Sequence, residues 1–93
     1  MRKEVIITIE ESNEVYRLYS TYISYMNMLR YLMDNDMDER PIYDKKWNEA
    51  VELDRQLTKA KQDIEKKYKP EGNWDRFEFD FDKHMVVFIK NGA

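Results

Sequence analysis

Three interleaved rows of apolar side chains, each with a seven-residue spacing, constrain the fold of this chain more than any other feature of its sequence. The rows are Val15, Tyr22 and Leu29; Leu18, Tyr25 and Leu32; and Tyr19, Met26 and Met33. This spacing places side chains on one face of an α-helix, and three neighbouring rows make that face broad. The sequence therefore predicts a long first helix over residues 11–34.

A second long helix is predicted over residues 42–68. The positions that define its apolar face are Tyr43, Ala50, Leu57 and Ile64, joined by Trp47, Leu53, Ala60 and Tyr68. Pro41 fits the first position of a helix, and Pro70 followed by Gly72 prevents the helix from continuing. Because the segment between the two helices is short, an antiparallel helical hairpin is expected.

Side chains that alternate between apolar and polar, the period of a β-strand, flank the two helices. A β-branched run predicts a first strand over residues 5–9. Near the carboxyl end, Phe77, Phe79 and Phe81 alternate with acidic residues, which predicts a β-hairpin over residues 76–90.

Together these elements predict a single α+β domain over residues 1–93, in the order β-α-α-β-β, since 93 residues suit one small domain. The expected architecture is a long antiparallel helical hairpin with a small antiparallel sheet. Two details stay open at this level. Either Thr8 with Glu11, or Ser12, can cap the first helix, and the first strand can pair with the second or the third.

Composition excludes several functional classes. The chain has no cysteine, which rules out a disulfide framework and thiolate metal sites and favours a cytoplasmic location. Its 16 basic and 19 acidic residues give a net charge of −3, so direct nucleic-acid binding is not expected. The apolar runs are too short to span a bilayer, so membrane association is not expected either.

Neither a cofactor nor a metal site is expected. The acidic segment 34–39 has the acid spacing of a calcium loop, but Glu39 and Lys45 stand where that loop requires glycine and a bidentate glutamate. His84 is the only histidine, and it is expected in the turn between two strands with no nucleophile beside it. The sequence therefore predicts a protein that is not an enzyme and has no catalytic residues.

The apolar face of the first helix is wider than one neighbouring helix can cover. At about 100° per residue it extends over roughly 200°, from Leu32 round to Tyr16. Either the phenylalanine face of the hairpin or a protein partner, which includes a second copy of the chain in a homodimer, is expected to cover the remainder. The candidate partner-binding residues are Tyr16, Ile23, Met28 and Tyr31.

These features favour a non-enzymatic adaptor or accessory subunit, which binds a partner protein or peptide through the first helix or by strand addition at a sheet edge. An acidic row formed by Glu78, Asp80 and Asp82 supports an alternative, because its spacing is close to that of successive backbone phosphates. The alternative is a small acidic phage or mobile-element inhibitor, anti-CRISPR-like or a nucleic-acid mimic, which blocks a nucleic-acid-binding protein.

Three segments carry a resemblance to a known group of proteins. They are Glu14-Val15-Tyr16-x-Leu18-Tyr19 in the first helix, Lys66-Lys67-Tyr68 at the end of the second, and Trp74-x-x-Phe77-x-Phe79-Asp80-Phe81 in the closing hairpin. In their pattern and order the chain resembles the small accessory proteins of radical-enzyme systems that modify Cys-repeat peptides. The resemblance implies a non-catalytic partner of a maturation enzyme or of its peptide, with no site residues to transfer.

Overall fold

The computed structural model describes residues 1–92. Its elements are β1 (Arg2–Ile6), α1 (Ile9–Asp34), α2 (Pro41–Tyr68), β2 (Arg76–Asp80) and β3 (Met85–Ile89). Two helices and one three-stranded antiparallel sheet, in this order, confirm the predicted α+β class. The described residues divide into two compact units, one formed by Met1–Tyr16 and residues 60–92, the other by Arg17–Lys59.

The first strand lies earlier than predicted, at Arg2–Ile6 instead of residues 5–9. Ile9 instead begins α1, because Thr8 and Glu11 form a capping box at that point. The Thr8 Oγ1 accepts a hydrogen bond from the Glu11 amide at 3.0 Å, and the Glu11 carboxylate accepts one from the Thr8 amide at 3.0 Å. This pair also decides between the two candidate caps in favour of Thr8.

The remaining bounds lie close to the predicted ones. Helix α1 ends at Asp34 and helix α2 at Tyr68, as the apolar periodicity indicates. Pro41 is the first residue of α2, where its fixed φ suits the helix and its missing amide hydrogen is not needed. The two strands of the predicted hairpin, β2 and β3, are joined by a turn over residues 81–84.

Strand β3 is the centre of the sheet, with β1 and β2 on either side. It pairs antiparallel with both, so that Val5 and Phe79 each lie opposite Val86. Met85, Val86, Val87 and Phe88 are all buried, the pattern of a strand that is covered on both faces. The first strand therefore pairs with the third strand and not with the second, a choice that the sequence leaves open.

Each unit has its own apolar core. In the first, the ring of Phe88 lies 5.3 Å from that of Phe77 and 6.0 Å from that of Trp74, and Val15 is fully buried. In the second, the buried side chains belong to both helices: Leu18, Leu29 and Leu32 of α1, and Ala50 and Leu57 of α2. The heptad rows read from the sequence therefore mark the positions that form the helical core.

Glu11 links the start of α1 to the end of α2 within the first unit. Its carboxylate accepts a hydrogen bond from the Tyr68 hydroxyl and another from the Lys67 ammonium at 3.0 Å. Burial alone would raise the pKa of Glu11, but the hydrogen bonds from Tyr68, Thr8 and Lys67 outweigh it and lower that pKa to about 2. The ionised carboxylate is therefore the form that holds the two helix ends together.

Candidate protein-interaction site

A shallow apolar groove runs between α1 and α2 in the second unit. It consists of two adjoining hollows, of about 190 and about 380 Å³, which share Met26 and Trp47. We call it the Trp47 groove, and its apolar lining is Tyr22, Met26, Leu29, Met33, Tyr43, Trp47, Ala50 and Val51. Both helices contribute to it because the antiparallel pairing brings the last turns of α1 beside the first turns of α2.

The side chains of the groove are unusually exposed for their type. Trp47 is 47% exposed, Val51 54% and Met33 55%. The ring of Trp47 stacks on that of Tyr43, with centroids 6.4 Å apart and an interplanar angle of 14°. Exposed tryptophan, tyrosine and methionine are the residue types enriched at the centres of protein interfaces.

Charged side chains line both ends of the groove. Arg30 and Asp34 of α1 line the hollow that contains Met33 and Tyr43, whereas Asp54 of α2 lines the hollow that contains Tyr22. All three charged side chains are exposed. The groove is therefore an apolar surface with both signs of charge at one end and an acid at the other.

A polar cluster lies on the other side of the helix pair. A hydrogen bond with Tyr25 lowers the pKa of Glu49 and raises the pKa of Tyr25. The Lys46 ammonium lies 3.4 Å from the Glu49 carboxylate and 5.4 Å from the centre of the Tyr25 ring. Glu49 and Trp47 are about 160° apart around α2. The polar cluster therefore lies on the side of α2 that faces away from the groove.

All four predicted partner-binding residues are exposed. Tyr16, in the first unit, is 53% exposed, and its ring meets that of Phe81 edge-on at 5.2 Å. In the second unit Ile23, Met28 and Tyr31 are all exposed. Ile23 and Met28 are about 140° apart around α1 and so face different sides of that helix. None of the four lines the Trp47 groove.

Sequence reasoning missed Trp47 and Val51 as site residues. The heptad pattern assigns Trp47 to the packed face of the second helix, whereas the structure leaves nearly half of it exposed. A signal is present in the sequence, because Trp47 and Val51 are four residues apart and so share a face that lies beside the row through Ala50. Whether a neighbour covers that face is a tertiary property.

The predicted acidic row does come together. Glu78, Asp80 and Asp82 line one side of a cleft of about 370 Å³ beside β2. Basic groups reduce its negative field, since Arg2 lines the same cleft and Arg76 lies 3.7 Å from Glu78. The Asp80 carboxylate also accepts a hydrogen bond from the Lys83 amide at 3.1 Å. The three acidic side chains therefore line the same cleft, but basic side chains lie in or beside it.

The sheet has two edges at which an extended peptide could add. Both β1 and β2 have five residues, and both carry charged side chains, including Arg2 and Glu4 on β1 and Arg76 and Glu78 on β2. Short, charged edge strands are a common means of preventing strand addition. The edges are therefore weaker candidates for a binding site than the Trp47 groove.

A serine and the single histidine meet in the first unit, contrary to the expectation that no nucleophile lies beside His84. The Ser12 hydroxyl is 3.1 Å from His84 Nδ1, and Ser12 is only 1% exposed. His84 itself occupies the turn before β3 with a φ of 51°, in the left-handed region. A hydroxyl so deeply buried has no access to a substrate, so this contact ties α1 to the sheet.

Replacing Ser12 by alanine should therefore destabilise the protein without changing its surface. We expect Ser12→Ala to lower the free energy of unfolding by about 1 kcal/mol, the usual net contribution of a neutral hydrogen bond. Urea denaturation followed by circular dichroism measures this change. Ser24→Ala is the matched control, because the exposed Ser24 hydroxyl only donates to a carbonyl of its own helix; an equal loss in both variants would contradict a special role for Ser12.

Two general features of residues 1–92 complete the description. Within this part of the chain no group of three or more histidine, cysteine, aspartate or glutamate residues is arranged to hold a metal ion. Neither α1 nor α2 is apolar enough over a sufficient length to cross a bilayer.

Comparison of the chain with protein-family models, with curated proteins and with solved structures finds no match.

Proposed function

We propose that this chain is a non-enzymatic protein-interaction protein, an adaptor or accessory subunit, which binds a protein partner through the Trp47 groove. The observation that carries the proposal is the exposure of Trp47, stacked on Tyr43 and flanked by Met26, Met33 and Val51. Full burial of one large apolar side chain contributes about 1.5–3 kcal/mol. Several such anchors together are needed to offset the cost of association and give a stable complex.

The position of the groove supports a binding role over a purely structural one. Its floor is formed by helices whose buried faces are already packed, as Leu29 at 2% exposure shows. Anchoring residues on rigid helices lose little conformational entropy on binding, which favours affinity. The first helix thus contributes one wall of the site, as the width of its apolar face leads us to expect, and the second helix contributes the aromatic anchor.

The partner and the compartment are part of the same proposal. The resemblance of the first helix, the end of the second helix and the closing hairpin to accessory proteins of radical-enzyme systems favours a maturation enzyme or its peptide as the partner. The absence of cysteine from the sequence favours a reducing compartment such as the cytoplasm.

Photo-crosslinking from the groove tests the proposal. A chain that carries a photoreactive benzoylphenylalanine in place of Val51, incubated with extract of the native host, should give a defined crosslinked protein band. Excess unlabelled wild-type chain should remove the band, whereas Trp47→Ala should compete at least about tenfold more weakly, as expected for loss of an aromatic anchor. The same probe at Tyr31, which is 63% exposed on another face, is the position control. Equal bands from both positions, or equal competition by Trp47→Ala, would contradict the site.

The acidic cleft supports a second candidate function, inhibition of a nucleic-acid-binding protein, because Glu78, Asp80 and Asp82 line one cleft. Salt separates the two functions. Binding carried by these acids should weaken steeply between about 50 and about 200 mM salt, whereas binding carried by Trp47 should change little. The triple variant Glu78→Gln, Asp80→Asn, Asp82→Asn should abolish the first kind of binding and leave the second intact.

A further inference from the structure

We propose that the free edge of β2 is a second binding site, which takes an extended segment of a partner protein as a fourth strand of the sheet. The segment it fits alternates apolar and basic side chains. The site lies wholly in the first unit and shares no residue with the Trp47 groove, so the inference goes beyond the proposed function.

The backbone of β2 offers hydrogen-bonding groups along its outer edge. The Ile7 amide donates a hydrogen bond to the His84 carbonyl at 3.0 Å, which places the backbone groups of the even-numbered residues of β3 on the β1 side. Alternation then directs the odd-numbered residues of β3 and the even-numbered residues of β2 towards each other. The amide and carbonyl groups of Phe77 and Phe79 therefore point outward, and no other part of residues 1–92 hydrogen-bonds to them.

An apolar hollow of about 280 Å³ flanks β2 on one face, and we call it the phenylalanine hollow. Its lining residues are Lys61, Phe77, Glu78, Phe79 and Phe81. The three rings form a ladder, since the centre of the Phe79 ring lies 5.0 Å from that of Phe77 and 5.5 Å from that of Phe81. All three are half-buried, so part of each ring stays open to a ligand.

This hollow determines one set of side chains in an added strand. Residues that lie opposite each other on neighbouring strands project from the same face of the sheet. Side chains opposite Phe77 and Phe79 therefore enter the phenylalanine hollow, where apolar groups gain contact with the rings. The cationic Lys61 in the same lining disfavours a basic side chain at these positions.

The acidic cleft on the other face of β2 determines the alternate set. Arg2 lines the cleft and Arg76 lies 3.7 Å from Glu78, so that two bases oppose the three acids of the acidic row. Asp80 and Asp82 have no ion-pair partner among residues 1–92. Side chains opposite Glu78 and Asp80 are therefore expected to be basic.

These requirements select the occupant. A segment with apolar side chains at every second position and basic side chains between them matches both faces at once, while its backbone pairs with the outward groups of Phe77 and Phe79. Strand β2 of a second copy does not match, because antiparallel pairing would bring the two acidic rows together on one face. The charges of this edge thus repel acidic strands and admit a basic one.

Binding of an acetylated and amidated heptapeptide that alternates lysine and valine tests the proposal. Fluorescence anisotropy of the labelled peptide should show saturable binding. Matched peptides with serine in place of valine, or with glutamate in place of lysine, should bind at least about tenfold more weakly. Absence of binding by the lysine–valine peptide up to about 1 mM would overturn the proposal.

A charge reversal on the protein tests the same contact. Glu78→Lys should weaken binding of the lysine–valine peptide at least about threefold. Glu4→Lys is the matched control, because Glu4 and Glu78 both lie opposite Val87 on the same face. Glu4 belongs to the far strand β1, about 10 Å from β2, so its reversal should change the affinity clearly less. Equal losses in the two variants would contradict binding at β2.

Backbone measurements separate strand addition from attraction of charge alone. When the lysine–valine peptide binds, hydrogen exchange measured by NMR should slow at least about tenfold at the amides of Phe77 and Phe79. It should not change at the amide of Glu4, which points away from β3 at the opposite edge of the sheet. Amides of Phe77 and Phe79 that stay unprotected would overturn strand addition.

N-methylated peptides provide a second backbone measurement. Methylation of the valine amides blocks one edge of the added strand, and methylation of the lysine amides blocks the other. The set that faces β2 should abolish binding, namely the valine set for antiparallel addition and the lysine set for parallel addition, and the other set should be tolerated. An equal effect of both methylations would also overturn strand addition.

These outcomes are independent of the proposed function. The photoreactive probe at position 51 reports on the Trp47 groove, whereas the peptides report on β2. Crosslinking that depends on Trp47 without peptide binding would overturn the β2 site alone. Peptide binding with the expected amide protection, but without crosslinking from the groove, would support the β2 site and contradict the groove.

Discussion

Replacing Phe88 by alanine should cost about 3–5 kcal/mol in the free energy of unfolding, the range for large-to-small changes at fully buried aromatic positions. Phe88 is 1% exposed on the central strand, and its ring is 5.3 Å from that of Phe77 and 6.0 Å from that of Trp74. Small domains have a total stability of about 5–15 kcal/mol. The variant should therefore lose a large share of the total stability and unfold at a much lower urea concentration than the wild type.

Urea denaturation monitored by circular dichroism, with tryptophan fluorescence as a second probe, measures this loss. Phe77→Ala is the matched control, because Phe77 belongs to the edge strand β2 and is only half-buried. We expect the control to lose clearly less stability than Phe88→Ala. If the two variants lose the same amount, or if Phe88→Ala loses less than about 1 kcal/mol, the central strand does not carry the core of the first unit.

Replacing Glu11 by glutamine should lower the free energy of unfolding by about 1–3 kcal/mol at neutral pH, through loss of charge-assisted hydrogen bonds. Glutamine keeps the shape of the capping box but not the negative charge that Lys67 and Tyr68 contact. The Glu11 side chain is 20% exposed, so solvent screens it only in part.

The pH dependence of this effect has a definite sign. The pKa of Glu11 is about 2 in the folded chain against an ordinary value of 4.5, so the contribution is complete above about pH 4.5 and is lost as the pH falls towards about 2. The stabilities of the wild type and of Glu11→Gln should therefore converge over that interval. A difference that stays constant down to pH 2 would show that ionisation of Glu11 is not its source.

Glu52→Gln is the control for this experiment. The pKa of Glu52 is also about 2, but its hydrogen bonds, from Arg55 and Gln56, all come from its own helix. Such local pairs on an exposed helix surface contribute little to overall stability. We expect this variant to unfold at nearly the same urea concentration as the wild type, which would assign the Glu11 effect to the link between two helices.

Local physics determined most of the fold from the sequence. Apolar side chains alternate in the strands and recur every seven residues in the helices, and this change of spacing depends only on neighbouring residues. The two helices and the hairpin could therefore be predicted with ends close to those observed. The first strand was the exception. Residues 5–9 are all β-branched and favour extended backbone. The Thr8–Glu11 capping box nevertheless starts the helix directly after Thr8, so that Ile9 is helical.

The candidate site could be predicted from the sequence only in part. The sequence indicated that the apolar face of α1 exceeds what one neighbour covers, and Tyr19, Ile23 and Met33 are indeed exposed. It could not indicate that Trp47 completes the surface, because a heptad position states which way a side chain faces on its own helix, not what stands opposite it.

The sequence alone determined the element types, their order and the acidic and apolar faces, because these depend on the spacing of residues along one segment. Only the tertiary structure decided that β3 is central, that Ser12 meets His84 and that Trp47 lines a groove with Tyr22, Met26 and Met33. Those arrangements join residues far apart in the chain. They depend on which elements bury their apolar surfaces against one another. The free energy of that burial cannot be deduced from the spacing of residues within one segment.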